Sequence, residues 1–301
     1  MAATQDSHPQ DATTHSALTY SALQAGATAF SEGKYNEALQ YFTQSIESSP
    51  AAGYGNRCLV QLQMQNYVAA IEDCTQSLVI KEDSEVRLNL GLAYERSGEH
   101  MQAITQYEKI IAANLADYRT HYNLALSKAA IGSHQDAVEA YTLALHALPT
   151  AIQPLEQAEI YRDRGASHLV LTNYMAAVTD LNAAISHNPH DTWAYFNRGC
   201  AYHRNNNFLP ALQDFSWVIE HDHQNARAYF NRGIIYARLH QSEAAIENLT
   251  QAIEHFPKDS PPEEVRVSIA QAHQLIAHLQ VYQVSEQPVF SWPFSLTLEV
   301  T

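Results

Sequence analysis

One phrase recurs along this chain, and its spacing leaves few folds open. Tyr195 to Phe208 reads YFNRGCAYHRNNNF, and 34 residues on, from Tyr229, the chain reads YFNRGIIYARLHQS. With Gly199 as a reference slot, the equivalent small residues are Gly26, Cys58, Gly91, Ala125, Gly165, Gly199 and Gly233. Twelve residues after each stands alanine: Ala38, Ala70, Ala103, Ala137, Ala177, Ala211 and Ala245. Sixteen residues after each stands a larger apolar side chain: Phe42, Cys74 (the weakest), Tyr107, Tyr141, Leu181, Phe215 and Leu249. A period of this length belongs to stacked copies of one small unit, none of which buries its apolar face alone.

Each unit reads as two short antiparallel helices. Small residues on the first helix and alanine early in the second let the backbones approach closely, and the later bulky residue fills the groove beside the next unit. Turn residues between the helices are Gly33, Asn66, Gly98, Gly132, Asn173 and Asn207, and Pro50, Pro149, Pro189 and Pro257 are expected to end second helices.

The pattern resembles the tetratricopeptide repeat, over Thr19 to Ser260 and seven consecutive units. The YxNRG spelling is similar to repeats common in bacterial members, cyanobacterial ones included. The resemblance implies an all-α, right-handed superhelical solenoid of seven helix-turn-helix units, with the first helices lining a concave wall. The reference slots are 32, 33, 34, 40, 34 and 34 residues apart. Units 1–4 therefore occupy 19–151 and units 5–7 occupy 152–259, opened by six extra residues at Ala151–Glu156, where a longer first helix from Pro154 and a bend are expected. Ser260–Glu264 (SPPEE) reads as a capping box with proline in the first turn, opening a capping helix over 260–283. Residues 1–18 read as a mobile polar tail, and 284–301 as an extended apolar tail whose Phe290, Trp292, Phe294, Leu296, Leu298 and Val300 share one side.

The repeated arginine and asparagine separate into different roles. Arg57, Arg164, Arg198 and Arg232 are each followed sixteen residues later by Asp73, Asp180, Asp214 and Asn248, whereas units without the arginine hold Tyr41, Gln106 and Ala140 there. That coupling argues for a pair linking the two helices of a unit. Two residues before the reference slot stand Gln24, Asn56, Asn89, Asn123, Asp163, Asn197 and Asn231. Asparagine is a poor helix former, so its repetition needs a reason. In tetratricopeptide proteins this position faces the groove, and in a glycosyltransferase family an asparagine ladder there holds an extended peptide. An amide offers donor and acceptor together, as a peptide bond requires. Tyr122, Arg162, Phe196 and Phe230 precede the amide slot, Arg119, Trp193 and Arg227 lie four before it, and Arg204 and Arg238 lie about two turns after it. A basic, aromatic C-terminal groove would suit an extended segment with acidic and apolar residues. A carboxylate clamp wants a second asparagine one turn on, and Ala27, Leu59, Leu92, Leu126, Ala166, Cys200 and Ile234 stand there instead.

Chemistry has little to stand on. The sequence holds no G-x-S-x-G, P-loop or G-x-G-x-x-G. Its 16 histidines, among them His187–Asp191 and His221–His223, lack metal-site spacing and read as helix-end residues that complement the dipole. A net charge of −15 opposes nucleic acid or anionic lipid as a partner, and no run is long and apolar enough for a membrane span. Three cysteines, Cys58, Cys74 and Cys200, read as small core residues in a reducing compartment, so a cytoplasmic chain is expected. The expectation is a scaffold or adaptor without enzymatic activity or cofactor, holding a partner protein during complex assembly. The alternative is a structural protein that self-associates through its groove or its tail.

Overall fold

The structure, a computed structural model, describes residues 22–285. Fifteen helices and no strand are found among the described residues. The first seven repeat pairs are α1 (22–31) with α2 (Tyr35–Ser45), α3 (Pro50–Gln63) with α4 (Tyr67–Ile80), α5 (Ser84–Arg96) with α6 (His100–Ala112), α7 (Tyr118–Ala130) with α8 (His134–His146), α9 (Pro154–Val170) with α10 (Tyr174–His187), α11 (Thr192–Arg204) with α12 (Phe208–His221), and α13 (Ala226–Arg238) with α14 (Ser242–His255). A last helix, α15, spans Glu263–Ser285. The chain divides into two compact units, 1–147 and 148–301. It is an all-α helical repeat solenoid.

Packing within each pair follows the small-to-large slots. All seven alanines of the +12 slot are 0% exposed. A Cβ added at Gly91 would sit 2.3 Å from the Tyr107 ring, and one at Gly26 would sit 2.5 Å from Phe42, so only the missing side chain admits the ring. In the first unit α3 touches α5 and α5 touches α7; in the second α9 touches α11, α11 touches α13 and α13 touches α15. Within each unit no second helix contacts the next second helix among the described residues, so each row curves toward its first helices. At the end of the second unit Val265, Ser268, Ala272, Leu275 and Leu279 recur every three or four residues along one face of α15 and are buried, the apolar ones clustering with Leu249 and Ala252 of α14.

Between the paired helices the chain turns through one left-handed residue, and the turn lies one residue earlier than three of the asparagines suggest. Gly33, Gly98 and Gly132 take φ of +74°, +84° and +81°; in the other repeats the same place is held by Gln65, Thr172, Asn206 and His240 at +58° to +61°. Asn66, Asn173 and Asn207 are the next residue, the N-cap of the second helix, and make no side-chain cap bond. Side-chain caps open first helices instead, from Asp83, Asp117, Asp191 and Asn225.

Several expectations are corrected in detail. Pro50 does not end α2, which stops at Ser45; it is the first residue of α3, where its missing N–H would be unbonded anyway. Pro154, by contrast, begins α9 as expected, and that helix is 17 residues long against 13 or 14 for the first helices α3, α5, α7, α11 and α13. Ser260 has φ of +47° and α15 starts at Glu263, so Pro261 and Pro262 precede the helix and no capping box forms. The cysteines are not three separate thiols: Cys58 and Cys74 form a disulfide, and only Cys200 is free and buried. The spacing of 16 residues puts them in facing slots of one helix pair, which counting cysteines did not show. Residues 1–18 lie outside the described residues, as do 286–301; Val284 and Ser285 belong to α15.

Candidate functional site

The arginine of the repeated phrase is held in the scaffold. Arg57 donates through Nε and Nη2 to Asp73 at 2.7 and 2.5 Å, Arg164 to Asp180 at 2.8 and 2.7 Å, and Arg198 to Asp214 at 2.9 and 2.6 Å. Arg232 donates to Asn248 at 2.7 Å. Arg57 reaches further to Thr43, Arg198 to Asn182 and Arg232 to Ser216, each on the preceding second helix. Each guanidinium also lies 5.1 to 5.7 Å from the ring of a tyrosine three residues earlier, Tyr54, Tyr161, Tyr195 or Tyr229. Sequence reasoning missed that partner, although YxxR recurs in those four repeats and in no other.

In the first unit the first helices line a groove of about 880 Å³. Asn56 of α3 and Asn89 of α5 face it, with Ala51, Gly55, Leu59 and Val86 as apolar wall and Ser77 and Ile80 of α4 at one side. Both amides are half-buried, and neither makes an intramolecular hydrogen bond among the described residues. Arg119 lies at the rim, but its charge is matched: it donates to Glu85 at 2.6 and 3.2 Å and to Asp117 at 2.7 Å. Those bonds, Glu85 first, hold the guanidinium above its ordinary pKa.

The second unit holds a smaller pocket of about 530 Å³ at the start of α11. Leu155, Trp193 and Phe196 supply apolar surface, and Trp193 is 55% exposed. Arg162 and Arg227 line it too, but so do Glu159, Asp191 and Asp222. Arg162 donates to Asp163 at 2.9 Å and to Asp191 at 3.4 Å. In this pocket carboxylates therefore interleave with the cations.

Of the other sequence candidates, Asn123, Asn197, Asn231, Tyr122, Phe230, Arg204 and Arg238 line neither cavity. Asn197 and Asn231 are 2% and 3% exposed, with Oδ1 buried and unbonded, so these amides are enclosed in helix packing instead of lining open space. Phe230 is buried and meets Phe256 edge-on at 6.3 Å; Phe196, although it edges the pocket, packs on Phe215 at 5.7 Å. Tyr122 leans on Tyr141 at 6.0 Å. Asn123 and Arg204 are half-buried, and Arg238 sits 5.9 Å from the Phe208 ring. Beside them His203 is 1% exposed with neither ring nitrogen hydrogen-bonded, and burial, reinforced by Arg238 and Arg204, pushes its pKa down to about 3. Burial likewise pushes the Cys200 thiol up to about 12. Among the described residues no group of three or more His, Cys, Asp or Glu is placed to hold a metal, and no helix is long and apolar enough to cross a membrane.

Comparison with known proteins agrees with this architecture. Three tetratricopeptide-repeat family models match residues 20–52, 88–152 and 226–259. Sperm-associated antigen 1 of Rattus norvegicus is 29% identical over 90 residues, which are 29% of this chain and 10% of that protein. Tetratricopeptide repeat protein 6 of Homo sapiens is 32% identical over 85 residues, 28% of this chain and 16% of that one. The matched segments thus cover a small part of these relatives' length. Among solved structures, YrrB, a tetratricopeptide-repeat protein with an unusual peptide-binding site, superposes with TM-score 0.56 at 21% identity over 68% of this chain and 99% of its own. The Cut9-Hcn1 hetero-tetramer of the APC/C gives 0.59 at 15% identity over 82% of this chain and 48% of that one. MamA residues 41 to the end from Desulfovibrio magneticus RS-1 gives 0.53 at 19% identity, over 59% and 97%. The spacing, the helix pairs and these matches agree: the chain carries tetratricopeptide repeats, and residues 20–52, 88–152 and 226–259 match the family's models.

Proposed function

We propose that this chain is a non-enzymatic scaffold that holds an extended segment of a partner protein along the first helices α3 and α5, in the setting of complex assembly. A tetratricopeptide stack is a protein-interaction module, and YrrB, a structural neighbour, has a peptide-binding site. The observation that carries the reading is the pair Asn56 and Asn89: successive first helices present two half-buried amides, unbonded among the described residues, to one groove with an apolar wall. An extended backbone supplies the missing donor and acceptor to each amide, and its alternate side chains meet Leu59 and Val86. Because Arg119 is matched by Glu85 and Asp117, and Lys81 shares the groove wall with Asp83, the favoured segment is apolar and without net charge.

The test is a selection of random peptides displayed on phage against the full chain, followed by NMR titration of a selected peptide. The reading expects the side-chain amide signals of Asn56 and Asn89 to shift first. Shifts confined to the second helices would overturn it. Light scattering during the titration distinguishes the rival use of the groove: a dimer that the peptide dissociates would mean that a second copy is the natural occupant.

A further inference from the structure

The second repeat fills its central slot unlike any other. In six repeats a glycine or alanine on the first helix faces a larger side chain on the second, as in Gly165 with Leu181 or Ala125 with Tyr141. In the second repeat Cys58 of α3 is bonded to Cys74 of α4, with Cα atoms 5.3 Å apart and both residues 0% exposed. These helices also build the groove: Gly55, Asn56 and Leu59 flank Cys58, and Ser77 and Ile80 follow Cys74. The sulfur of Cys74 lies 3.3 Å from the carbonyl oxygen of Val86, on the facing wall. As half of a disulfide that sulfur has no proton to give; reduction would supply one within reach of Val86.

We propose that the Cys58–Cys74 bond is a redox gate on the groove: the oxidised form holds α3 against α4 in the binding arrangement, and reduction relaxes it and weakens capture of the partner segment. The binding half of this inference rests on the groove reading above; the structural half does not. The reductant is a dithiol, small or thioredoxin-like. It gives two electrons and two protons, the S–S bond breaks to two thiols, and the dithiol closes to its own disulfide. Neither a covalent bond nor a large side chain then spans the slot, and the Arg57–Asp73 fork and the hydrogen bond that Ser77 donates to the Ala51 carbonyl oxygen are left to join the pair. Because both sulfurs are buried, exchange requires α3 and α4 to open. A peptide that favours the closed groove therefore slows reduction, by the same linkage through which reduction weakens the peptide.

Hydrogen exchange and thermal unfolding of the full chain, with and without dithiothreitol, test the gate. Reduction should lower Tm by roughly 5 to 10 °C and speed exchange over 50–80 while leaving 226–255 unchanged. The double variant Cys58→Gly/Cys74→Leu, which installs the pair of the fifth and seventh repeats, should be indifferent to reductant; if it fails to fold, Cys58→Ala/Cys74→Tyr copies the fourth. A phage-selected peptide should bind the reduced wild-type chain several-fold more weakly and should slow its reduction. Three alkylatable thiols in the unreduced, denatured chain would overturn the proposal, as would exchange and Tm that ignore reductant. If exchange rises but peptide affinity holds, the gate falls and the groove reading stands. If no peptide binds in either state, both fall.

Discussion

The α3–α4 pair and the α11–α12 pair use the same slots for different ends. Both tie their helices with an arginine fork, Arg57–Asp73 and Arg198–Asp214, and both stack that arginine near a tyrosine. In one the central slot is a disulfide, in the other Gly199 against Phe215, whose ring would lie 3.0 Å from an added Cβ. The residue before the amide is Gly55 in one and Phe196 in the other, and the outcomes part there: Asn56 faces an open groove while Asn197 is 2% exposed. The phrase is therefore scaffold grammar in both places. Whether its asparagine works depends on what stands around it.

The comparison can be broken first at the central slot. Gly91→Leu drives a side chain into the Tyr107 ring and should cost about 3 kcal/mol, read as a loss of denaturation midpoint; a neutral outcome would mean that the slot does not set helix spacing. A smaller effect distinguishes His203 of α11 from Leu62, its counterpart in α3. The folded pKa of His203, about 3, lies below the unfolded value, so its contribution is complete above about pH 6.5 and is lost as pH falls toward 3. On the order of 2 kcal/mol should disappear by pH 5, and His203→Leu should flatten that limb of the stability curve. Next, a double-mutant cycle on Arg198→Ala and Asp214→Ala should give a coupling of roughly 1 to 2 kcal/mol, matched by Arg57 with Asp73; zero coupling would remove the fork from the account. The smallest effect is a gain. Gln65→Gly relieves a left-handed glutamine by about 0.5 to 1 kcal/mol, and Asn206→Gly gains less because asparagine tolerates that conformation.

Much of this was legible in the residues. The period placed the helix pairs, because close backbone approach demands small residues at fixed offsets, and the link from arginine to the residue sixteen positions on was visible as a coupled pair. The turn was placed one residue late in the second, fifth and sixth repeats, since asparagine marks turns only loosely and Gln65 and Thr172 carry no left-handed signature. Pairing of Cys58 with Cys74 is not legible in a count of three cysteines; it follows from the facing slots of one helix pair. The groove was least legible: periodicity puts an asparagine on a helix face, but the exposure of Asn56 and the enclosure of Asn197 depend on side chains from neighbouring helices.

The central claim, that Asn56 and Asn89 form the working face, is tested most directly by comparing two double variants. Fluorescence anisotropy of a selected peptide on Asn56→Ala/Asn89→Ala should show a loss of roughly 2 to 6 kcal/mol, about 0.5 to 1.5 for each of the four hydrogen bonds removed, with circular dichroism unchanged. Asn197→Ala/Asn231→Ala should bind the peptide as the parent does. The reverse result, binding kept by the first variant and lost by the second, would contradict the account.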